Sequence, residues 1–193
     1  MTIDDSILLY LNNRIKNTDK ESVDLIKSIA KLKVYSRGEI ILDYGEFNDS
    51  TFILKSGFTA NFSQLEDGSN FIRTIFKPND EFGSLRCSIK KEKSNVVFKA
   101  LTDCEVLELE SMELLNQRHP FITNLYISIL ENTFLKFEKR IAELAGLDAS
   151  KRYIMLRQEI SNIDNILPQY QIANYLNITP VQLSRIRKKI FSN

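Results

Sequence analysis

Reactive side chains are scarce in this sequence, whose 193 residues include no tryptophan, one histidine and two cysteines. Cys87 and Cys104 are too few for a disulfide framework, a zinc cluster or the four thiolates of an iron–sulfur centre. We expect the single histidine, His119, to lie at a helix start on the surface, where it has no identifiable catalytic partner. Paired acids and phosphate-binding loops are missing as recognisable motifs. The sequence therefore predicts no enzyme activity, no metal site and no cofactor.

Long hydrophobic runs are also missing. No apolar stretch approaches the ~18–20 residues that a membrane span needs, and the start MTIDDSILLY lacks the basic segment and cleavage site of a signal peptide. We therefore expect a cytoplasmic protein without membrane contact. Apolar residues make up 43% and charged residues 26%, the balance of a folded chain with one domain or two small ones.

A net charge of +1 hides an uneven distribution of charge along the chain. Residues 151–193 carry seven basic and two acidic side chains, a net of +5, whereas residues 1–150 carry 19 basic and 23 acidic ones, a net of −4. Such a split indicates a polyanion-binding tail on a weakly acidic body. A solvated, charged helix end would give the same count.

The hydrophobic pattern changes twice along the chain. Residues 6–30 have the spacing of one or two short helices, with Thr18 and Glu21 as a capping box. Between residues 32 and 109, short β-rich runs are separated by turn residues, which predicts a compact antiparallel β domain, a barrel or sandwich. The predicted strands are Glu39–Leu42, Thr51–Lys55, Phe58–Phe62, Phe71–Phe76, Val96–Ala100 and Glu105–Leu109.

A long helix is predicted from Pro120 to about Gly146, where a C-cap would fall, with Asp148 capping the next helix. Its apolar residues repeat at spacings of three and four, the period of a coiled-coil seam. We interpret the seam as the contact of a parallel dimer, although packing on the chain's own sheet would give the same pattern. The seam residues are Ile127, Leu130, Phe134, Phe137, Ile141 and Leu144.

After a short polar connector at 161–167, residues 168–190 run PQYQIANYLNITPVQLSRIRKKI. Pro168 can start a helix, Asn177 suits a left-handed turn, and Thr179 with Pro180 forms a cap and first-turn pair for a second helix. The buried face would hold Ile172, Ala173, Leu176, Ile178, Leu183, Ile186 and Ile190. This pattern predicts a helix-turn-helix, for which a plain helical hairpin with a basic face is the alternative.

The second helix of such a motif enters the major groove, which is about 12 Å wide. Val181 suits a thymine methyl, Gln182 adenine and Arg185 guanine, so these three are predicted to contact bases. A second set of side chains suits phosphate oxygens, which position a protein on the duplex without specifying sequence. The predicted phosphate contacts are Gln169, Thr179, Ser184, Lys188 and Lys189.

The order of these parts resembles the cyclic-AMP receptor protein family (Crp/Fnr) of bacterial transcription regulators. The glycines in Arg37-Gly38-Glu39-Ile40, Tyr44-Gly45-Glu46 and Lys55-Ser56-Gly57 match, as do residues 100–109 and 143–148. The resemblance implies an α+β fold: an N-terminal antiparallel β-roll of the cyclic-nucleotide-binding jelly-roll type with flanking helices (1–118), a dimerisation helix (119–147) and a helix-turn-helix domain (148–193). It also implies a homodimer that binds double-stranded DNA, with RNA polymerase as a further partner.

The nucleotide site departs from the family pattern. Where nucleotide-binding members have Gly-Glu-Leu and an Arg-Ser pair, this sequence has Gly83-Ser84-Leu85 and Ser94-Asn95, while Phe137 stands at a position that meets the adenine. Without the guanidinium, the cyclic phosphate loses its strongest partner. We therefore expect that cyclic AMP is not bound in the usual way, and the effector stays unknown.

Only three residues follow the second tail helix, so a C-terminal β-hairpin wing is not expected. One functional alternative remains at this stage. The chain would then be a ligand-binding module of the cyclic-nucleotide class that acts through a protein partner, its basic tail serving as a docking surface.

Overall fold

The β-rich part of the chain folds into two four-stranded antiparallel sheets, in a computed structural model that describes residues 3–14, 19–64, 68–110 and 120–191. The strands are β1 (Ala30–Tyr35), β2 (Ile40–Leu42), β3 (Thr51–Ser56), β4 (Thr59–Gln64), β5 (Asn70–Phe76), β6 (Glu81–Phe82), β7 (Val97–Ala100) and β8 (Cys104–Leu109). Sheet A has the order β1-β8-β3-β6 and sheet B the order β2-β7-β4-β5. All six predicted strands are present, within one or two residues of their expected bounds.

The two sheets enclose an aromatic core. Phe52 and Phe82 from sheet A stack at a centroid distance of 5.2 Å, and Phe76 and Phe98 from sheet B lie 5.4 Å and 5.6 Å from Phe82. All four rings are buried. Short β-rich runs bounded by turn residues predicted these strands, although residues Thr51 to Leu54 of β3 are all buried and do not alternate. The prediction of a β-roll is confirmed.

Helices cover both sheets. They are α1 (Ile3–Asn12), α2 (Lys20–Ile29), α3 (Leu85–Lys90), α4 (Pro120–Gly146), α5 (Ala149–Glu159), α6 (Ile163–Ile166), α7 (Gln169–Tyr175) and α8 (Pro180–Phe191). Helices α1, α2 and the first half of α4 bury apolar residues against the outer face of sheet A. Helices α5 to α8 share a second core with the outer face of sheet B. No helix in the described ranges has the length and apolar character of a membrane span.

Three local predictions need correction or lie outside the described ranges. The cap of α2 is Asp19, whose carboxylate accepts a hydrogen bond from the N–H of Ser22 at 2.8 Å, whereas Thr18 lies outside the described residues. His119 also lies outside them. Gly146 is the last residue of α4 and is not left-handed, because the N–H of Leu147 still bonds to the carbonyl of Glu143 at 3.2 Å.

The predicted polar connector at 161–167 is instead part of the tail's core. It contains α6, and its Ile163 and Leu167 are buried together with Ile160. The apolar residues are spaced at three and four, so they line one side of the segment while the polar ones face water. Asp148 caps α5 as predicted, accepting the N–H of Lys151 at 2.9 Å.

Candidate functional site

The first half of the tail motif is built as the sequence predicts. Helix α7 follows Pro168 and buries Ile172, Ala173 and Leu176 completely. Asn177 has a φ of +54°, the left-handed conformation that ends a helix and turns the chain. Ile178 then packs back on the same core. The turn is thus fixed by backbone conformation and by apolar residues on both sides of it.

The second helix of the motif begins with a capping box. The Thr179 hydroxyl accepts the N–H of Gln182 at 3.2 Å, and the Gln182 side-chain carbonyl accepts the N–H of Thr179 at 2.8 Å. The Gln169 amide also donates to the carbonyl of Pro180 at 2.8 Å. Pairing with adenine needs both the oxygen and the nitrogen of a glutamine amide. Gln182 must therefore open its cap bond before it can make that contact.

The outward face of α8 is polar and basic. Leu183 is completely buried and Ile186 and Ile190 pack on the same core, whereas Val181 is 60% exposed. The exposed side chains of this face also include Gln182, Ser184, Arg185, Lys188 and Lys189. The structure therefore brings all three predicted base contacts and most predicted phosphate contacts to one open surface.

Not every cation of the tail faces outward. Asp164 binds Arg187 and lies 3.2 Å from Arg157, and it accepts the Tyr153 hydroxyl at 2.8 Å. Arg152 donates to the carbonyls of Leu147 and Leu176. These three arginines hold the tail together. The number of charges in the sequence does not show which side chains face solvent. The net charge of residues 151–193 therefore overstates the positive charge on the surface of the tail.

The long helix α4 has two different apolar faces. Ile122, Leu125 and Ile129 are buried beneath the first half of the helix. The predicted seam lies on another face, where Phe134 and Ile141 are each 67% exposed. Ile127 is exposed as well, and the remaining seam residues, Leu130, Phe137 and Leu144, are half-buried. The single chain therefore leaves most of the seam in contact with solvent.

At the nucleotide position of the β-roll, the cavity measures about 40 Å³. Gly83, Leu85 and Phe137, three of the residues predicted to surround a ligand, line it. Ser84 and Ser94 are buried and bonded elsewhere: Ser84 caps α3 through the N–H of Cys87, and Ser94 donates to the carbonyl of Val96 at 2.7 Å. Asn95 is exposed outside this cavity. A water occupies about 10–15 Å³ on this measure, so the space holds roughly three waters.

The wall of this cavity carries a buried acid that the sequence did not reveal. Glu81 is only 3% exposed, pairs with Arg14 at 2.7 Å and accepts a hydrogen bond from Asn132. The lysine of the cavity wall, Lys136, lies 2.8 Å from Asp80. Each charge here already has a partner, and nothing in the wall replaces the missing guanidinium.

A polar junction joins the roll, α4 and the tail. Arg140 is buried, donates to the carbonyl of Arg73 at 3.2 Å and to that of Tyr175, and lies over the Tyr175 ring. Burial lowers the pKa of the Arg140 guanidinium. Asn174 accepts the N–H of Ile72 and donates to the carbonyl of Asn70, both at 2.7 Å. Its amide therefore takes the place of a neighbouring strand on the edge of β5.

Comparison with known families finds a match in the β-rich part of the chain. Residues 32–118 match the model of the cyclic nucleotide-binding domain. No curated protein sequence matches the chain.

Within the described part of the chain, no group of three or more histidine, cysteine or acidic side chains could hold a metal ion.

Solved structures extend the likeness beyond the roll. FixK2 from Bradyrhizobium japonicum matches at a TM-score of 0.73 and 17% identity, covering 85% of each chain. The c-di-GMP responsive global regulator CLP from Xanthomonas campestris matches at 0.70 and 16%, covering 90% of this chain and 92% of its own. A transcriptional regulator of the crp/fnr family from Eubacterium rectale matches at 0.71 and 15%, covering 92% and 88%. The predicted Crp/Fnr resemblance in fold is confirmed.

Proposed function

We propose that the chain is a homodimeric, sequence-specific DNA-binding transcription regulator whose cyclic nucleotide-binding domain does not respond to cyclic AMP in the usual way. The observation that carries the proposal is the sidedness of α8. One side is sealed on the tail's core by Leu183, and the other presents Val181, Arg185 and two lysines to solvent. RNA polymerase is the further partner that this function implies.

The outward face of α8 suits the chemistry of a major groove. Arg185 offers the two parallel donors that the O6 and N7 atoms of guanine accept, and Val181 offers a methyl-sized apolar contact to thymine. Lys188 and Lys189 lie in the last turns, where a point charge can reach a phosphate. Gln182 contributes an amide nitrogen while its carbonyl holds the cap of the helix.

A dimer would place two such helices on one duplex. The exposed seam of α4 gives two copies an apolar surface to bury against each other, and parallel pairing relates the two tails by a two-fold axis. Half-sites would then lie one turn of DNA apart, about 34 Å. We assign 1–118 to the sensor, 119–147 to dimerisation and 148–193 to DNA binding.

The small volume of the cavity supports independence from cyclic AMP. Small-molecule pockets have volumes of about 300–1,000 Å³, and this one has about 40 Å³. The acid in its wall, Glu81, is buried and already paired. A bound nucleotide would need to displace Phe137 and bring an anion to a wall without a free cation. Isothermal calorimetry with purified protein should detect no micromolar binding of cyclic AMP, and a micromolar titration would contradict this part of the proposal.

Selection of bound fragments from a random double-stranded DNA library tests the main claim. We expect a two-fold symmetric site, with an affinity that falls steeply as salt rises because phosphate contacts release counterions. Circular dichroism of the same sample establishes that the protein is folded. A folded protein that selects no site and binds DNA without salt dependence would refute the proposal and favour the alternative, a module that acts through a protein partner.

A further inference from the structure

A second opening, larger than the nucleotide cavity, lies where helix α7 meets the outer face of sheet B. This junction groove has a volume of about 390 Å³, within the range of about 300–1,000 Å³ that small-molecule sites occupy. Its apolar surface comes from β4, β5 and β7 through Phe62, Ile72 and Val97. Tyr170 of α7 forms the other side and is 63% exposed at the mouth.

Two polar groups in the groove lack partners. The side-chain oxygen of Gln171 is buried and accepts no hydrogen bond within the described part of the chain. Lys99 is half-buried, and no acid or hydrogen-bond acceptor among the described residues pairs with its ammonium group. A buried carbonyl without a donor is destabilising, because it has lost its hydrogen bonds to water and gained none in return. Lys99 gains a partner if a ligand brings an acceptor to it, and the Gln171 oxygen gains one if its amide turns toward the groove and meets a donor of the ligand.

The groove also contains a negative charge. The Asp43 carboxylate is half-buried in the wall and accepts the N–H of Tyr44 at 2.7 Å. One cation beside one anion favours a singly charged ligand over a doubly charged phosphate monoester. The apolar surface formed by Phe62, Ile72 and Val97 favours a flat or branched hydrocarbon body.

We propose that the junction groove binds a small organic carboxylate with an aromatic or branched apolar body and an N–H or O–H donor. The carboxylate pairs with Lys99, the donor satisfies the Gln171 oxygen, and the body packs on Phe62 and Val97 beneath Tyr170. The groove is distinct from the cavity lined by Gly83 and Phe137 and shares no residue with it.

Such a ligand contacts the roll and the tail at once. Gln171 and Asn174 lie one turn apart on α7, and Asn174 holds the edge of β5. A ligand in the groove therefore stabilises the arrangement of roll and tail described here. Its effect on DNA binding rests on the proposed function, but its binding does not, because binding is measured on the protein without DNA.

The test uses indole-3-acetate as the probe, since it combines a carboxylate, an aromatic body and an N–H donor. Binding to the full chain is measured by saturation-transfer NMR and calorimetry at millimolar ligand. Indole-3-ethanol lacks the carboxylate and 3-phenylpropionate lacks the donor, and we expect each to bind more weakly. Absence of binding by indole-3-acetate, or equal binding of the alcohol, would overturn the proposal.

Two isosteric variants place the probe in the groove. Lys99→Met should weaken indole-3-acetate about tenfold, which corresponds to about 1.4 kcal/mol, and should leave indole-3-ethanol unchanged. Gln171→Met removes a carbonyl that has no partner, so it should weaken the probe without lowering the unfolding temperature. Lys93→Met, at an exposed lysine of the same roll, is the matched control and should bind as the wild type does. Equal losses in Lys93→Met and Lys99→Met would refute the site.

Discussion

Helices α4 and α8 each bury one apolar face, but their outward faces have opposite chemistry. The outward face of α4 is apolar, with Phe134 and Ile141 each 67% exposed, while that of α8 carries Arg185, Lys188 and Lys189. Exposed apolar side chains gain free energy when another apolar surface covers them, and exposed cations gain it beside a polyanion. The difference matches what the proposed function requires, a second copy of the chain at α4 and a nucleic acid at α8.

The largest expected effect comes from placing a charge on the outward face of α4. Phe134→Glu would bury a carboxylate at the seam of each copy, which should weaken the dimer at least about 100-fold, or roughly 3 kcal/mol. Sedimentation equilibrium measures the dissociation constant. Ala142→Glu adds the same charge to an exposed position outside the seam and should leave the dimer intact. A Phe134→Glu protein that stays dimeric would assign the seam to another role.

On α8, substitutions of Arg185 and Lys188 should affect DNA binding in different ways. Arg185→Ala should cost about 1–3 kcal/mol and relax the preference at one base position, because a bidentate contact to a base is lost. Lys188→Ala should weaken all sequences to a similar extent and reduce the salt dependence by about one ion. Fluorescence anisotropy with a matched set of single-base variants separates the two. Equal losses on every sequence for both variants would contradict the assignment.

The start of α8 tests how far its polar groups serve the fold rather than DNA. Thr179→Ala removes the capping hydroxyl and should cost about 1 kcal/mol, or about 2–4 °C in the unfolding temperature. Thr179→Ser keeps the hydroxyl and serves as the control. Thermal unfolding followed by circular dichroism gives both values. Equal unfolding temperatures for Thr179→Ala and the wild type would show that the cap adds nothing to stability.

The smallest effect concerns the polar side of α4, where Lys139 bonds to Glu159 of α5 at 2.8 Å. Burial alone would raise the pKa of Glu159, but the hydrogen bond and charge of Lys139, together with Lys77, lower it below its usual value. A lowered pKa in the folded state adds stability above the unfolded value of about 4.3, and this stability is lost as pH falls through the folded value.

We expect the contribution of Glu159 to stay below about 1 kcal/mol, because the pair is partly exposed. Urea unfolding at a series of pH values measures it. Glu159→Gln should lose stability less steeply than the wild type below about pH 4.5. If the free energy of unfolding falls equally steeply with decreasing pH in both proteins, Lys139 does not stabilise the Glu159 carboxylate.

Features that depend on neighbouring residues were predictable from the sequence. The strands from Thr51 to Leu109 follow from short β-rich runs bounded by turn residues. The turn of the tail follows from Asn177 and Thr179, whose roles are set within a few residues. The pairing of Thr179 with Gln182 was also readable as a capping-box pattern. The prediction for Gln182 covers only its contact with a base and does not include this cap.

Features that depend on distant residues were not predictable. The edge bond of Asn174 joins residues more than 100 positions apart, and the hydrogen bond from Arg140 to Arg73 spans 67 positions. Strand β1 was not predicted although Lys31-Leu32-Lys33-Val34 alternates in the sequence, and in the structure these four central residues are all exposed. The closure of the nucleotide cavity depends on Phe137 of α4 meeting the roll.

The hydrogen bonds between Asn174 and β5 affect how readily the roll aggregates when the tail is removed. Strand β5 ends sheet B, and unpaired N–H and C=O groups at a sheet edge offer a template on which foreign chains add. The tail closes that template and also covers Ala60, Ile72 and Leu101 on the outer face. A protease cut before α5 would expose the edge of β5 and the outer face of sheet B. The shortened fragment should therefore form β-rich aggregates under conditions in which the uncut chain does not aggregate.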